Sequence, residues 1–232
     1  MNVPGDRRCR GSADLAVWWC DPPTGTAGPP WPTIVFLHGF GERGDGSLEA
    51  LATIPRGGGL PREIAQPENQ LLHHPRLFPF LVVAPQTTGR WDYALVTVEK
   101  LVERLTASGF VRGRPLLTGF SIGADGVWAL ASRQPSLFAA IAPFAGEDLP
   151  NAERIARALA GIPVWIGYRS DDEHPLRTRP RAVIRALAEA GNTDVKVWEY
   201  AGAPPPKWSR HVYVARQAYT DSRFYAWLRE KA

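Results

Sequence analysis

Short, uninterrupted apolar runs alternate with longer amphipathic stretches along most of this chain. The runs at 13–19, 33–37, 80–84, 114–118, 138–144, 162–168 and 195–200 are bounded by glycine, proline or charged residues and predict strands. Between them, 93–108 carries Leu95, Val98, Leu101, Val102 and Leu105 at helical spacing, so a helix with one apolar face is expected. Further helices are predicted at 124–131, at 151–160 with Asn151 as its cap, at 177–190 ended by Gly191, and at 215–230. Strands apolar throughout, each followed by a helix, imply an α/β protein whose mainly parallel, doubly wound sheet is covered on both faces. Residues 21–32 and 41–46 read as loops, 47–79 as irregular chain, and 1–12 as a disordered N-terminus. Residues 13–232 are expected to form a single domain. The stretch from 148 to 163 is filled by one helix, which leaves no room there for a large cap domain.

Composition narrows the function classes. With 232 residues, 44% apolar and 22% charged, the chain can bury an ordinary core. Its net charge of +4 is spread without a basic stripe, which argues against a nucleic-acid partner. Cys9 and Cys20 fit no metal-ligand spacing; they could pair, but two cysteines make no disulfide framework. No apolar run is long enough to span a bilayer, and residues 15–20 are too short a run for a signal peptide. No membrane partner is expected, and a cytoplasmic location is the default.

The chemistry centres on Gly119-Phe120-Ser121-Ile122-Gly123, which falls where a predicted strand turns into a predicted helix. Such a turn projects a serine hydroxyl out of the sheet, and a Cβ at either flanking glycine would meet neighbouring backbone. A serine needs a base in hydrogen-bond reach and an acid to hold that base. Reacting groups gather beyond the carboxyl ends of parallel strands, so acid and base are sought in loops after later strands. Asp171 and Asp172 follow the run at 162–168, and His211 follows the run at 195–200. Asp172 is the preferred acid, with Asp171 open. His211 is the preferred base over His174, which shares a loop with the acid. The oxyanion calls for backbone N–H donors, expected from Ile122 and from Phe40 in His38-Gly39-Phe40-Gly41. His38 itself reads as structural. Glu42, Arg43 and Asp45 form either an ion-pair cluster or a solvated turn. Trp91 and Trp208 are candidates for the substrate-pocket wall.

The segments Ile34-Val35-Phe36-Leu37-His38-Gly39-Phe40-Gly41-Glu42-Arg43-Gly44, Leu81-Val82-Val83-Ala84-Pro85-Gln86 and Thr118-Gly119-Phe120-Ser121-Ile122-Gly123-Ala124-Asp125-Gly126 carry a resemblance. So do Ile162-Pro163-Val164-Trp165-Ile166 and the region 218–228. With these segments the chain resembles α/β-hydrolases of the predicted peptidase, phospholipase/carboxylesterase and polyhydroxybutyrate-depolymerase-like esterase group. The resemblance implies an α/β-hydrolase fold with one antiparallel edge. It also implies Ser121 as nucleophile, Asp172 as acid and His211 as base. The expected activity is cleavage of small-molecule or polymer-end carboxylic esters through an acyl-enzyme, with no metal or cofactor. An acyltransferase using the same residues, or a non-catalytic binding protein on the same fold, is the alternative. Oligomeric state is not indicated.

Overall fold

The computed structural model describes residues 2–3, 7–13, 16–147, 149, 151–174, 180–206 and 208–232. Among these, nine strands form one sheet: β1 (Asn2–Val3), β2 (Arg7–Ser12), β3 (Val17–Cys20), β4 (Thr33–Leu37), β5 (Leu81–Pro85), β6 (Leu116–Phe120), β7 (Ala140–Phe144), β8 (Val164–Tyr168) and β9 (Val195–Glu199). They run in the order β1-β2-β3-β5-β4-β6-β7-β8-β9. From β5 through β9 all pairings are parallel, while β1, β2 and β3 pair antiparallel at one edge. The antiparallel edge thus holds three strands.

The central strands are almost entirely apolar because each buries both faces. β4 divides its residues by the two-residue period of a strand. Ile34 and Phe36 join a core with α2 (Leu60–Ala65), α3 (Gln70–His73), α8 (Arg210–Tyr219) and α9 (Ser222–Lys231). Val35 and Leu37 join the opposite core, with α4 (Leu95–Ala107), α5 (Ile122–Arg133), α6 (Ala152–Ala158) and α7 (Arg181–Glu189). Among the described residues, α6 is the one helix between β7 and β8, as the short spacing required.

Four expectations are corrected. Residues 7–12, read as disordered, form β2: Cys9 opposes Cys20 across the β2–β3 ladder, a disulfide joins them, and Cys9 is buried. The stretch 47–79 contains α1 (Leu48–Leu51), α2 and α3, short helices whose few turns leave little periodicity to read. Asn151 stands at the N-cap position of α6 but its side chain makes no capping bond. The single helix expected at 215–230 is two helices, α8 and α9. Asp221 ends the run by accepting from the Arg223 N–H at 3.0 Å, and Thr220 turns its hydroxyl back to the Arg216 carbonyl. Residues 177–179 of the predicted 177–190 helix, and 14–15 of the predicted 13–19 strand, lie outside the described residues.

α8 is tied to the sheet by one buried polar link. The Thr118 hydroxyl donates to the Ala142 carbonyl at 2.6 Å, so the Tyr219 hydroxyl, 2.9 Å away, donates to Thr118. Tyr219→Phe is expected to cost about 1 kcal/mol, since Thr118 keeps its acceptor. Thr118→Val leaves both the Ala142 carbonyl and the Tyr219 hydroxyl without this partner and is expected to cost about 2–3 kcal/mol. Urea denaturation of the two variants measures the difference.

Candidate active site

Ser121 occupies the turn between β6 and α5 with φ of 58° and ψ of −125°, a left-handed conformation that is strained for a side-chain-bearing residue. The turn is possible because its flanking residues lack side chains. A Cβ on Gly119 would overlap the backbone of Gly123, and one on Gly123 would overlap the carbonyl of Leu37 at the end of β4. The first turn of α5 therefore lies directly against β4, and the serine hydroxyl stands above the carboxyl end of the sheet.

His211 reaches it from α8. Its Nε2 lies 2.9 Å from Ser121 Oγ, and its Nδ1 lies 2.7 Å from Asp172 Oδ2. Asp172 follows β8, and its other oxygen accepts from the His174 N–H at 2.8 Å. A carboxylate only accepts, so Nδ1 carries the proton and Nε2 is free to take one from the serine. Three loops, separated by up to 90 residues, thus converge on one hydrogen-bond chain. Of the two aspartates left open by the sequence, Asp172 makes this contact. Asp171 instead receives the Arg169 guanidinium through two bonds, at 2.7 and 2.9 Å. His174 lines the same cavity and stacks edge-on to His211 with ring centroids 4.5 Å apart, without reaching the serine role.

The acid loop also grips the backbone of the base. Glu173 accepts the N–H groups of Arg210 at 2.6 Å and His211 at 2.8 Å. These are N–H groups of the first turn of α8, which lack intrahelical acceptors. Ser209 takes the next, from Val212, at 3.1 Å. Burial alone would raise the Glu173 carboxyl; backbone donors, those of Arg210 and His211 foremost, together with the Arg210 charge outweigh it and hold the group below its ordinary value. Beneath this loop, the fully buried Arg169 also donates to Gln217 on α8 and to the Gly202 carbonyl. Glu173 and Arg169 were missed by sequence reasoning. The only available signal was an acidic residue next to the acid candidate.

Phe40 opens a short 3-10 helix after Gly39, and Ile122 opens α5 after Ser121. First residues of helices have no intrahelical acceptor for their N–H. Both line the cavity around Ser121. The loop that carries Phe40 is braced from below. The His38 Nε2 accepts from the Thr87 N–H at 3.1 Å, which leaves Nδ1–H to donate to the Gly39 carbonyl at 2.7 Å. Burial holds His38 neutral, with its pKa lowered to about 4. Gln86 donates to the Glu42 and Ala50 carbonyls and accepts from the Gly46 N–H. Glu42 turns inward and accepts the Gly58 N–H at 2.5 Å, and burial pushes its carboxyl up to about 7. Arg43 turns outward over the exposed Phe40 ring, and Asp45 receives the Ser47 N–H.

The two tryptophans expected in the pocket wall lie elsewhere. Trp91 is buried under the loop, with its indole N–H on the His38 carbonyl at 3.0 Å and its ring 4.7 Å from the His38 ring. Trp208 lies between the guanidinium groups of Arg62 and Arg216, centred 4.6 and 5.2 Å from its ring. A large amphipathic ring is equally suited to bracing a loop or to stacking on arginine, so sequence alone did not separate these uses. The cavity at Ser121 measures about 450 Å³, and its apolar wall is formed by Phe120, Ile122 and Val212 together with glycines of two loops. A larger groove of about 660 Å³ between α5 and α6 shares Arg90 with it but contains no member of the hydrogen-bond chain. The hydrogen-bonded Ser121, His211 and Asp172 make the smaller cavity the candidate site. Among the described residues, no helix is long and apolar enough to cross a membrane.

No family model and no curated protein sequence matches the chain. Solved structures do. A thermostable esterase is 27% identical over 97% of this chain, with a TM-score of 0.72; the chain spans 63% of that protein's length. An S-formylglutathione hydrolase from Agrobacterium tumefaciens is 15% identical, with 97% of this chain and 94% of that one covered and a TM-score of 0.63. A fluorophosphonate-binding serine hydrolase from Staphylococcus aureus is 14% identical over 97% of this chain and 98% of that one, with a TM-score of 0.64. The chain has the α/β-hydrolase fold.

The buried Glu42 sets a pH signature. The folded protein keeps a proton on Glu42 that the unfolded chain releases above 4.5, so this stabilisation is present at low pH and is lost as pH rises through about 7. The lowered pKa of His38 acts in the opposite direction, its contribution being lost as pH falls from 6.5 toward about 4. Glu42→Gln leaves His38 untouched and keeps an acceptor for Gly58. Its melting temperature relative to wild type is expected to increase between about pH 5 and pH 7 and to level off above that. A constant difference across that range, read by differential scanning fluorimetry, contradicts the assignment.

Proposed function

We propose that this protein is a serine hydrolase that cleaves carboxylic esters through an acyl-enzyme. The observation that carries the reading is the unbroken chain from Ser121 Oγ to His211 Nε2 and from His211 Nδ1 to Asp172, at 2.9 and 2.7 Å. The esterase and hydrolase neighbours support ester cleavage as the general class.

Ser121 Oγ attacks the ester carbonyl carbon while His211 Nε2 takes its proton. Asp172 holds the imidazole in the Nδ1–H form and stabilises the imidazolium. The carbonyl oxygen becomes an oxyanion, which the N–H groups of Phe40 and Ile122 receive. When the tetrahedral intermediate collapses, the C–O bond to the alcohol breaks and His211 returns the proton to the departing oxygen. Water then repeats the sequence on the acyl-enzyme, with His211 as base, and releases the carboxylic acid and free Ser121. No metal or cofactor takes part in these steps.

Labelling with a fluorophosphonate probe tests the nucleophile. Wild type is expected to label, while Ser121→Ala and His211→Ala are not, and p-nitrophenyl acetate hydrolysis is expected to fall by at least about a thousandfold in both. Labelling of folded Ser121→Ala at the wild-type rate would falsify the assignment.

Glu173 is expected to act through the position of His211. Glu173→Ala should lower kcat by between about tenfold and a hundredfold with little change in KM, because the base is displaced and substrate contacts are not. Glu173→Gln, which still accepts one N–H, should fall between. Steady-state kinetics on the two variants reads this, and a change confined to KM speaks against it.

A further inference from the structure

Gly57-Gly58-Gly59 borders the cavity, and its three glycines are not equivalent. A Cβ on Gly57 would overlap the Glu42 carboxylate. Gly59 has φ of +146° and packs on the Phe36 ring, which a Cβ would overlap. The fold therefore demands glycine at both. At Gly58 it does not: the backbone lies outside the left-handed region. An added Cβ would stand at ordinary contact distance, 3.4 Å from the Phe120 ring and 3.5 Å from Val212 Cγ1. Those two side chains and Gly58 itself all line the cavity at Ser121. What the missing side chain leaves open is a slot between the Phe120 ring and a Val212 methyl.

The slot lies on the side of the base. Val212 follows His211 in α8, and the Phe120 ring is 4.8 Å from the His211 ring. The departing alcohol must have its oxygen within hydrogen-bond reach of His211 Nε2, so its carbon skeleton extends on this side. The walls of the slot are an aromatic ring, a methyl group and a glycine methylene, which favour apolar bulk. We propose that Gly58 is a specificity-determining residue. It holds open a slot one carbon atom thick for the leaving group, and the substrates are esters of alcohols bearing a flat ring. This rests on the serine hydrolase reading above.

The test compares kcat/KM, which reports acylation, for methyl acetate, benzyl acetate and methyl benzoate. Wild type is expected to prefer benzyl acetate to methyl acetate. Gly58→Val, whose γ carbons extend into the slot, is expected to lower kcat/KM for benzyl acetate about tenfold more than for methyl acetate. Gly58→Ala should give a smaller shift in the same direction, and it carries the test should the valine variant fail to fold by circular dichroism. Equal losses on the two acetates overturn the slot, as does a selective loss on methyl benzoate. Fluorophosphonate labelling separates the two levels. An unlabelled wild type overturns the hydrolase reading and the slot with it. A labelled wild type with equal losses overturns the slot alone.

Discussion

The contact between the first turn of α5 and the last residues of β4 governs the geometry of the site. Gly123 rests on the Leu37 carbonyl, and Gly119 rests on Gly123. That closeness forces the chain to reverse within one residue, and Ser121 takes the left-handed conformation as a result. A strained residue persists only when its surroundings over-determine it. Here the surroundings are two strands buried on both faces and a helix bearing Val127 and Trp128 in the core. The same contact sets the N–H of Ile122 beside the serine and brings the Phe40 loop, which leaves β4, to its other side.

Other interactions bring the remaining groups to that fixed point. Asp172 follows β8 and His211 stands in the first turn of α8, and hydrogen bonds at two levels hold them together. Asp172 orients the imidazole, while Glu173 binds the N–H groups at the start of the helix that carries it. Arg169 extends the same network, linking the exit of β8 to Gln217 further along α8. A base on a helix whose N-terminus is bound by the acid loop moves with its acid.

Below the Phe40 loop, burial keeps His38 neutral and keeps Glu42 protonated up to about pH 7. His38 is held between a backbone donor and a backbone acceptor, and Glu42 is held against the Gly58 N–H. Neutral groups satisfied by backbone impose direction without the desolvation cost of charge. Glu42 therefore connects two cavity walls, the Phe40 loop and the glycine run at 57–59, and it does so through one short bond.

The strands and their order in the chain follow from sequence alone, because a strand buried on both faces must be apolar at nearly every position, and few other elements are. β4 through β8 were readable for that reason, and so was the elbow at Ser121, where two glycines and a strand-to-helix change coincide within five residues. The pairing of His211 with Ser121 and the short region between β7 and β8 were readable from chain order. Other features depended on partners distant in sequence. The β2 strand exists because β3 and α1 cover it. The break at Asp221 is a local capping event inside an otherwise continuous helical pattern. The choice between Asp171 and Asp172 turns on which carboxylate Arg169 takes, and the positions of Trp91 and Trp208 on what each ring stacks against. Sequence specifies which side chains are available and which faces must be buried. Only the tertiary structure, by bringing loops from the ends of different strands to one edge of the sheet, decides which of two similar side chains meets the partner.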